Sequence, residues 1–205
     1  MNCLLHPTYF PNIAHFVAMI NAENIYFEVW DNYQKQSYRN RTEIYGANGK
    51  LALTVPVIYT QKNRQLYKDV LIANKENWQL LHLKSLQSAY RMSPFFEYYE
   101  ADLMPLFEKR FNYLLDFNFE CFDIVSKCME LKLHFQETET FEKTPNDKTD
   151  FRNLVRKKNE VDTLKPYTQV FTEKHGFIPN LSILDLLFNE GPNTELYLNK
   201  QILAT

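Results

Sequence analysis

Glycine is scarce in this chain: Gly46, Gly49, Gly176 and Gly191 are the only four in 205 residues. That scarcity excludes a Walker phosphate loop and a GxGxxG dinucleotide fingerprint, which need glycines clustered in one turn. Cysteine is equally sparse. Cys3, Cys121 and Cys128 are odd in number and lack metal-ligand spacing, which points to a reducing compartment and away from a disulfide scaffold. No HExxH, CxxC or GxSxG occurs, so neither a metal site nor a cofactor is expected from motifs. No apolar run approaches the ~18 residues of a membrane span. Met1 to Leu5 runs directly into His6-Pro7, without the basic and apolar regions of a signal peptide. No membrane insertion is therefore expected, and a cytoplasmic location is. A net charge of −2 also argues against a dedicated nucleic-acid binder, which would be basic.

Aromatic side chains, in contrast, are abundant: 15% of the chain, with 13 Tyr and 16 Phe. Tyrosine at this density suits amphipathic walls around a pocket or interface. The length fits a single domain with a real core.

The stretch YQKQSYRNRTEIYGANGKLALTVPV, residues 33–57, reads as a β-hairpin. Asn48-Gly49 predicts a type I′ turn, with Ala47 facing Lys50, Ile44 facing Leu53, Thr42 facing Val55 and Asn40 facing Val57. Ile44, Leu53, Val55 and Val57 then share an apolar face, while Ser37, Arg39, Arg41, Glu43 and Thr54 fall on the other. Two guanidinium forks at i and i+2 suit a phosphate or paired carboxylates. A solvated strand in which Glu43 neutralises Arg41 accounts for the same residues.

Upstream, Cys3-Leu4-Leu5 reads as a buried strand and Asn12 as the cap of a helix to about Asn21. Ile25 to Trp30 follows as a strand. This is a βαβ unit, whose ligands gather at the carboxyl ends of the strands, where the His6 to Pro11 loop lies. Val70 to Ile72 is a further strand candidate. From Trp78 the periodicity is helical, with His82 in the middle of the apolar arc, a place for a core histidine or for a catalyst. Ser93-Pro94 is expected to open another helix, and helices continue to Leu133 with an interruption near Pro105. Residues 137–166 are polar and lose apolar periodicity, which predicts a long surface loop, mobile and marginal to the core. Ser182 opens a helix to Glu190 with Asp185 at capping-box spacing, Gly191 stops it, and Asn193 or Thr194 opens the last.

Several of these stretches occur together in one order: HPTYFPNIAHF, the hairpin segment, Trp78-x3-His82-x7-Tyr90-x3-Pro94-Phe95-Phe96, DFRNL at Asp150, and QVFTEKHGFIPNLSILDLLFNEGP. In this the chain resembles the WbqC-like family, most closely its versions from Bacteroidetes-type bacteria. The resemblance implies a setting in O-antigen or other surface-polysaccharide biosynthesis, and a transfer of glycine or an acyl group onto a sugar. The expected fold is α+β, a small mixed sheet from the N-terminal third packed by helices from Asn74 onward. The expected function is a transferase acting on a sugar phosphate or nucleotide-sugar. Lys35, Arg39 and Arg41 would bind the anionic group, Tyr9, Tyr38 and Tyr90 the sugar, and His6 and Asn40 would complete the binding residues. His82 or His175 would be the general base. The alternatives are a non-catalytic binding protein and an assembly factor.

Overall fold

The computed structural model describes residues 1–59, 64–157 and 163–203. The N-terminal apolar run forms β1 (Asn2–Leu5), and the Asn12 side chain caps α1 (Ile13–Ile20) by accepting the His15 N–H. The chain returns as β2 (Asn24–Phe27), parallel to β1 with Leu4 opposite Tyr26 and Leu5 opposite Phe27. The expected βαβ unit is therefore present. β2 ends three residues early, where the Glu28 carboxylate folds back to accept the Trp30 N–H.

The hairpin follows as β3 (Arg41–Gly46) and β4 (Gly49–Thr54). Its register differs by two residues from the expected one: Tyr45 faces Lys50, Ile44 faces Leu51 and Thr42 faces Leu53. The turn is centred on Ala47-Asn48, and of the turn residues only Gly49 has positive φ (98°). A type I′ turn would need two left-handed residues. A shift of two preserves the faces, so Ile44 and Leu53 still share the buried side. Short β5 (Val57–Ile58) and β6 (Leu71–Ile72) pair antiparallel.

Helices α2 (Trp78–Tyr90), α3 (Phe96–Glu108) and α4 (Leu114–Cys128) form the middle of the chain. α3 starts after Phe95, two residues later than Ser93-Pro94 suggested. Pro105 sits within its last turns without ending it. The α+β class is as expected, with parallel and antiparallel pairings segregated into separate sheets.

Two outer strands of the main sheet come from beyond the helices. β7 (Phe135–Glu137) joins β2 and β8 (Thr149–Asp150) joins β1, giving four parallel strands in the order β7-β2-β1-β8. The polar segment 137–166 thus supplies sheet pairing. Its Phe151, Leu154 and Leu164 are buried in the core, contrary to the expectation that it contributes little; residues 158–162 lie outside the described ones. α5 (Thr172–His175), α6 (Ile183–Glu190) and α7 (Thr194–Asn199) close the chain. Ser182 caps α6 as expected, but Asp185 is no capping partner. It is fully buried, and its carboxylate accepts bonds from Tyr90, Tyr167 and Gln169.

The core is dominated by rings. Phe27 of β2 meets Phe119 and Phe122 of α4 and Phe135 of β7 at centroid separations of 5.0–5.7 Å. Each such pair adds about 0.5–1.5 kcal/mol beyond its buried area.

Candidate functional site

Three parallel strands end on one cleft of about 280 Å³. Directly after β1 stands His6; four residues past β2 stands Asp31; β8 ends in Asp150, followed by Arg152. Arg39, Lys143 and Arg156 complete its charged lining. Open parallel sheets place ligands here because the strand ends leave a crevice between diverging connections.

Arg39 lies deepest, with 1% exposure. Its Nη2 donates to His6 Nε2 (2.7 Å) and to Asp31 Oδ2 (2.8 Å), and its guanidinium lies 5.5 Å from the Tyr67 ring centroid. Nε and Nη1 have no hydrogen-bond partner among the described residues. A guanidinium only donates, so the Nε2 that receives it carries a lone pair. The other ring nitrogen, Nδ1, is the protonated one and donates to the Glu28 carbonyl at 3.3 Å. Burial and the adjacent Arg39 charge push the His6 pKa down to about 4, consistent with this neutral tautomer. Burial raises Asp31, but His6, once acid protonates it, and the Arg39 guanidinium outweigh that and hold the carboxyl below its ordinary range.

Opposite, Arg152 grips Asp150 through two parallel bonds, Nε to Oδ1 at 2.8 Å and Nη2 to Oδ2 at 2.7 Å. Its Nη1 donates to the Glu142 carbonyl and its Nη2 to that of Lys143, tying the covering segment to the sheet. Lys143 and Arg156 are exposed and form no ion pair among the described residues. Four cations against two carboxylates leave the lining with a formal charge of +2, His6 being neutral.

The family model described as the WbqC-like protein family matches residues 6–165. The chain belongs to the WbqC-like protein family. No curated protein and no solved structure matches it. The matched span contains every residue that lines the cleft of this WbqC-like protein.

Of the residues predicted from sequence, only His6 and Arg39 line the cleft. Arg41 does not join them, because residues 35–40 form turns instead of a strand, with Gln36 at φ 58°, and alternation fails across the break. Arg41 is half-buried on the hairpin, its Nε 3.3 Å from Thr54 Oγ1. Glu43 pairs with Lys157 and not with Arg41. Lys35 is exposed, 4.0 Å above the Tyr59 ring.

His82 is buried in the ring core. Its Nδ1 is 2.8 Å from the Tyr9 hydroxyl and its ring meets Trp78 edge-on; burial pushes its pKa down to about 4. Tyr9 is wholly buried with it. His175 is exposed on α5, its Nε2 3.0 Å from the Ala47 carbonyl at the hairpin tip. Tyr90 is buried, bonding Asp185 and the Tyr45 N–H. The Tyr38 hydroxyl approaches Glu43 at 3.4 Å, and the Asn40 side chain donates to the Val55 carbonyl. Asp31, Asp150, Arg152, Lys143 and Arg156 are the charged cleft residues that sequence reasoning missed. Asp31 had a usable signal, since it directly follows the strand expected over Ile25 to Trp30, whose carboxyl end is a ligand position.

Proposed function

We propose that the cleft binds the phosphate of a sugar phosphate or nucleotide-sugar, in a protein that serves modification of that sugar by amino-acid or acyl transfer. The observation that carries the reading is Arg39: a guanidinium withdrawn from water at the floor of a cleft whose lining has a surplus of two positive charges. Phosphate monoesters and the pyrophosphate of a nucleotide-sugar both bring about two negative charges at neutral pH. Arg156 offers a planar fork to such oxygens and Lys143 a mobile point charge, while the fork of Arg152 is taken up by Asp150.

A second reading, a binding protein without turnover, draws on the placement of the histidines. Neither His82 nor His175 lines the cleft, and the one imidazole that does has its free lone pair engaged by Arg39. The group-transfer reading therefore needs Asp31 or the substrate itself to accept the proton.

Calorimetric titration with glucose 1-phosphate and UDP-glucose tests the binding step. Arg156→Ala and Lys143→Ala remove exposed cations, so the fold should persist while affinity falls about tenfold for each charge-assisted hydrogen bond to the phosphate that is removed. Unchanged affinity in both variants would remove the cleft as the binding site. A monoester should bind more weakly below about pH 6, where its second proton returns, whereas the nucleotide-sugar should not. Incubation of the bound sugar with acyl or aminoacyl donors then separates transferase from binder.

A further inference from the structure

The main sheet carries α1 and α4 on the face of Cys3, Leu5, Ile25 and Phe27, as the packing of Phe27 against Phe119 and Phe122 records. The opposite face carries Leu4, Tyr26 and Gln136, in register across three strands. These residues floor a second cavity of about 250 Å³, whose remaining walls come from Glu28 and the segment 137–148. Its charges are Glu28, Glu137, Glu139 and Glu142 against Lys148, a formal total of −3, opposite in sign to the first cleft.

Acidic side chains alone would mark only a solvated surface, but Glu28 is fully buried. Its Oε1 accepts from the Trp30 N–H at 2.8 Å and from the Thr138 hydroxyl at 3.0 Å. Its Oε2 accepts no hydrogen bond from the described residues; Nη1 of Arg152 forms an ion pair with it at 3.6 Å, beyond hydrogen-bonding range. The ion pair offsets part of the cost of burying this oxygen, but its hydrogen-bonding capacity is unused, and Glu28 lines the cavity from which a donor would come. Beside it the Tyr26 ring already has an ammonium above its face: Lys148 Nζ lies 5.0 Å from the centroid and pairs with Asp147 at 2.8 Å.

We propose that this cavity is a site for the ammonium group of a small amine that carries no free carboxylate. Carboxylates with an aromatic face are the recognition chemistry of an ammonium. The surplus of three negative charges excludes a ligand that brings a carboxylate of its own, so a free amino acid fits poorly and its ester or amide fits well. The inference does not rest on the phosphate reading of the first cleft.

The test is an NMR titration of the whole protein with glycinamide, and in parallel with glycine. Glycinamide should give saturable backbone shifts centred on Tyr26, Glu28 and Thr138, and glycine should bind about tenfold or more weakly. Glu142→Gln and Glu139→Gln, both at exposed positions, should weaken glycinamide. Lys148→Met should tighten it, because the native ammonium no longer competes for the ring. Glu28→Gln should also weaken it, with its melting temperature recorded to separate binding from folding. Equal binding of glycine and glycinamide, shifts centred elsewhere, or no effect of Glu142→Gln would each overturn the proposal. Inorganic phosphate added to the same samples reports on the first cleft separately.

Discussion

A guanidinium that is 1% exposed has lost most of its hydration, and the groups around it must replace what water gave. For Arg39 that replacement runs through one nitrogen, shared between His6 and Asp31, while two others are left without partners among the described residues. Arg39→Ala should therefore act on stability first. It strands the Asp31 carboxylate, 15% exposed, beside a neutral imidazole, and about 3 kcal/mol or more of stability should disappear. Arg41→Ala, two positions on, removes a half-buried side chain with one long bond to Thr54, and should change stability by no more than about 0.5 kcal/mol. Urea unfolding of both variants checks this. Similar losses in the two would mean that the buried ion pair is not what distinguishes them. Arg39→Lys should recover part of the loss, since an ammonium can still meet Asp31 but not the ring plane of Tyr67.

Elements with strong local signals were readable from the chain, and elements fixed by distant partners were not. The βαβ unit, the hairpin and the helices from Trp78 each carry periodicity or capping that acts over a few residues. β7 and β8 are three and two residues long with Phe135 as their one apolar side chain, too short for a periodic signal, and they form because β2 and β1 offer free edges. Half of the candidate site hangs on β8, so Asp150 and Arg152 were hidden for the same reason. Arg39 stands out in the sequence for its charge, but strand alternation misplaces it, because the segment turns at Gln36. The hairpin turn gives the prediction at this scale. Gly49 has φ 98° and open space where a Cβ would go, so Gly49→Ala should cost only the backbone term of about 1–2 kcal/mol. Asn48→Ala should cost much less, because Asn48 is not left-handed. Gly191→Ala should be worse than either, since a Cβ there meets the Phe95 ring at 2.6 Å in addition to a φ of 52°. Thermal melts that rank Asn48→Ala equal to Gly49→Ala would restore the type I′ turn.

At the scale of the whole molecule, the same aromatic core that supports the sheet sets how the protein responds to acid. No helix among the described residues is long and apolar enough to cross a membrane, and the rings are spent instead on enclosing polar groups. Three histidines are held neutral by burial, first of all, with folded pKa values near 4 for His6, 3 for His15 and 4 for His82. In the unfolded chain each takes up a proton near 6.5. Between about pH 6.5 and 4 the unfolded state thus binds more protons, and stability must fall as pH falls through that window, by up to about 1.4 kcal/mol per pH unit for each histidine. Asp31 and Asp150, held below the ordinary carboxylate range by their cationic neighbours against the effect of burial, add their loss only at lower pH. Glu28 and Asp185 act in the opposite sense, because burial raises both and protonation then favours the folded form. The two buried carboxyls offset part of the fall that the three histidines produce. The decisive variant is His82→Gln, which keeps a polar group beside Tyr9 and removes the titration. Its stability at neutral pH should drop modestly, and its slope between pH 6.5 and 5 should flatten by about one histidine's share. Denaturant midpoints across pH, for the parent and this variant, measure both. An unchanged slope would mean that His82 is protonated in the folded protein, and that its hydrogen bond with Tyr9 is made by an imidazolium.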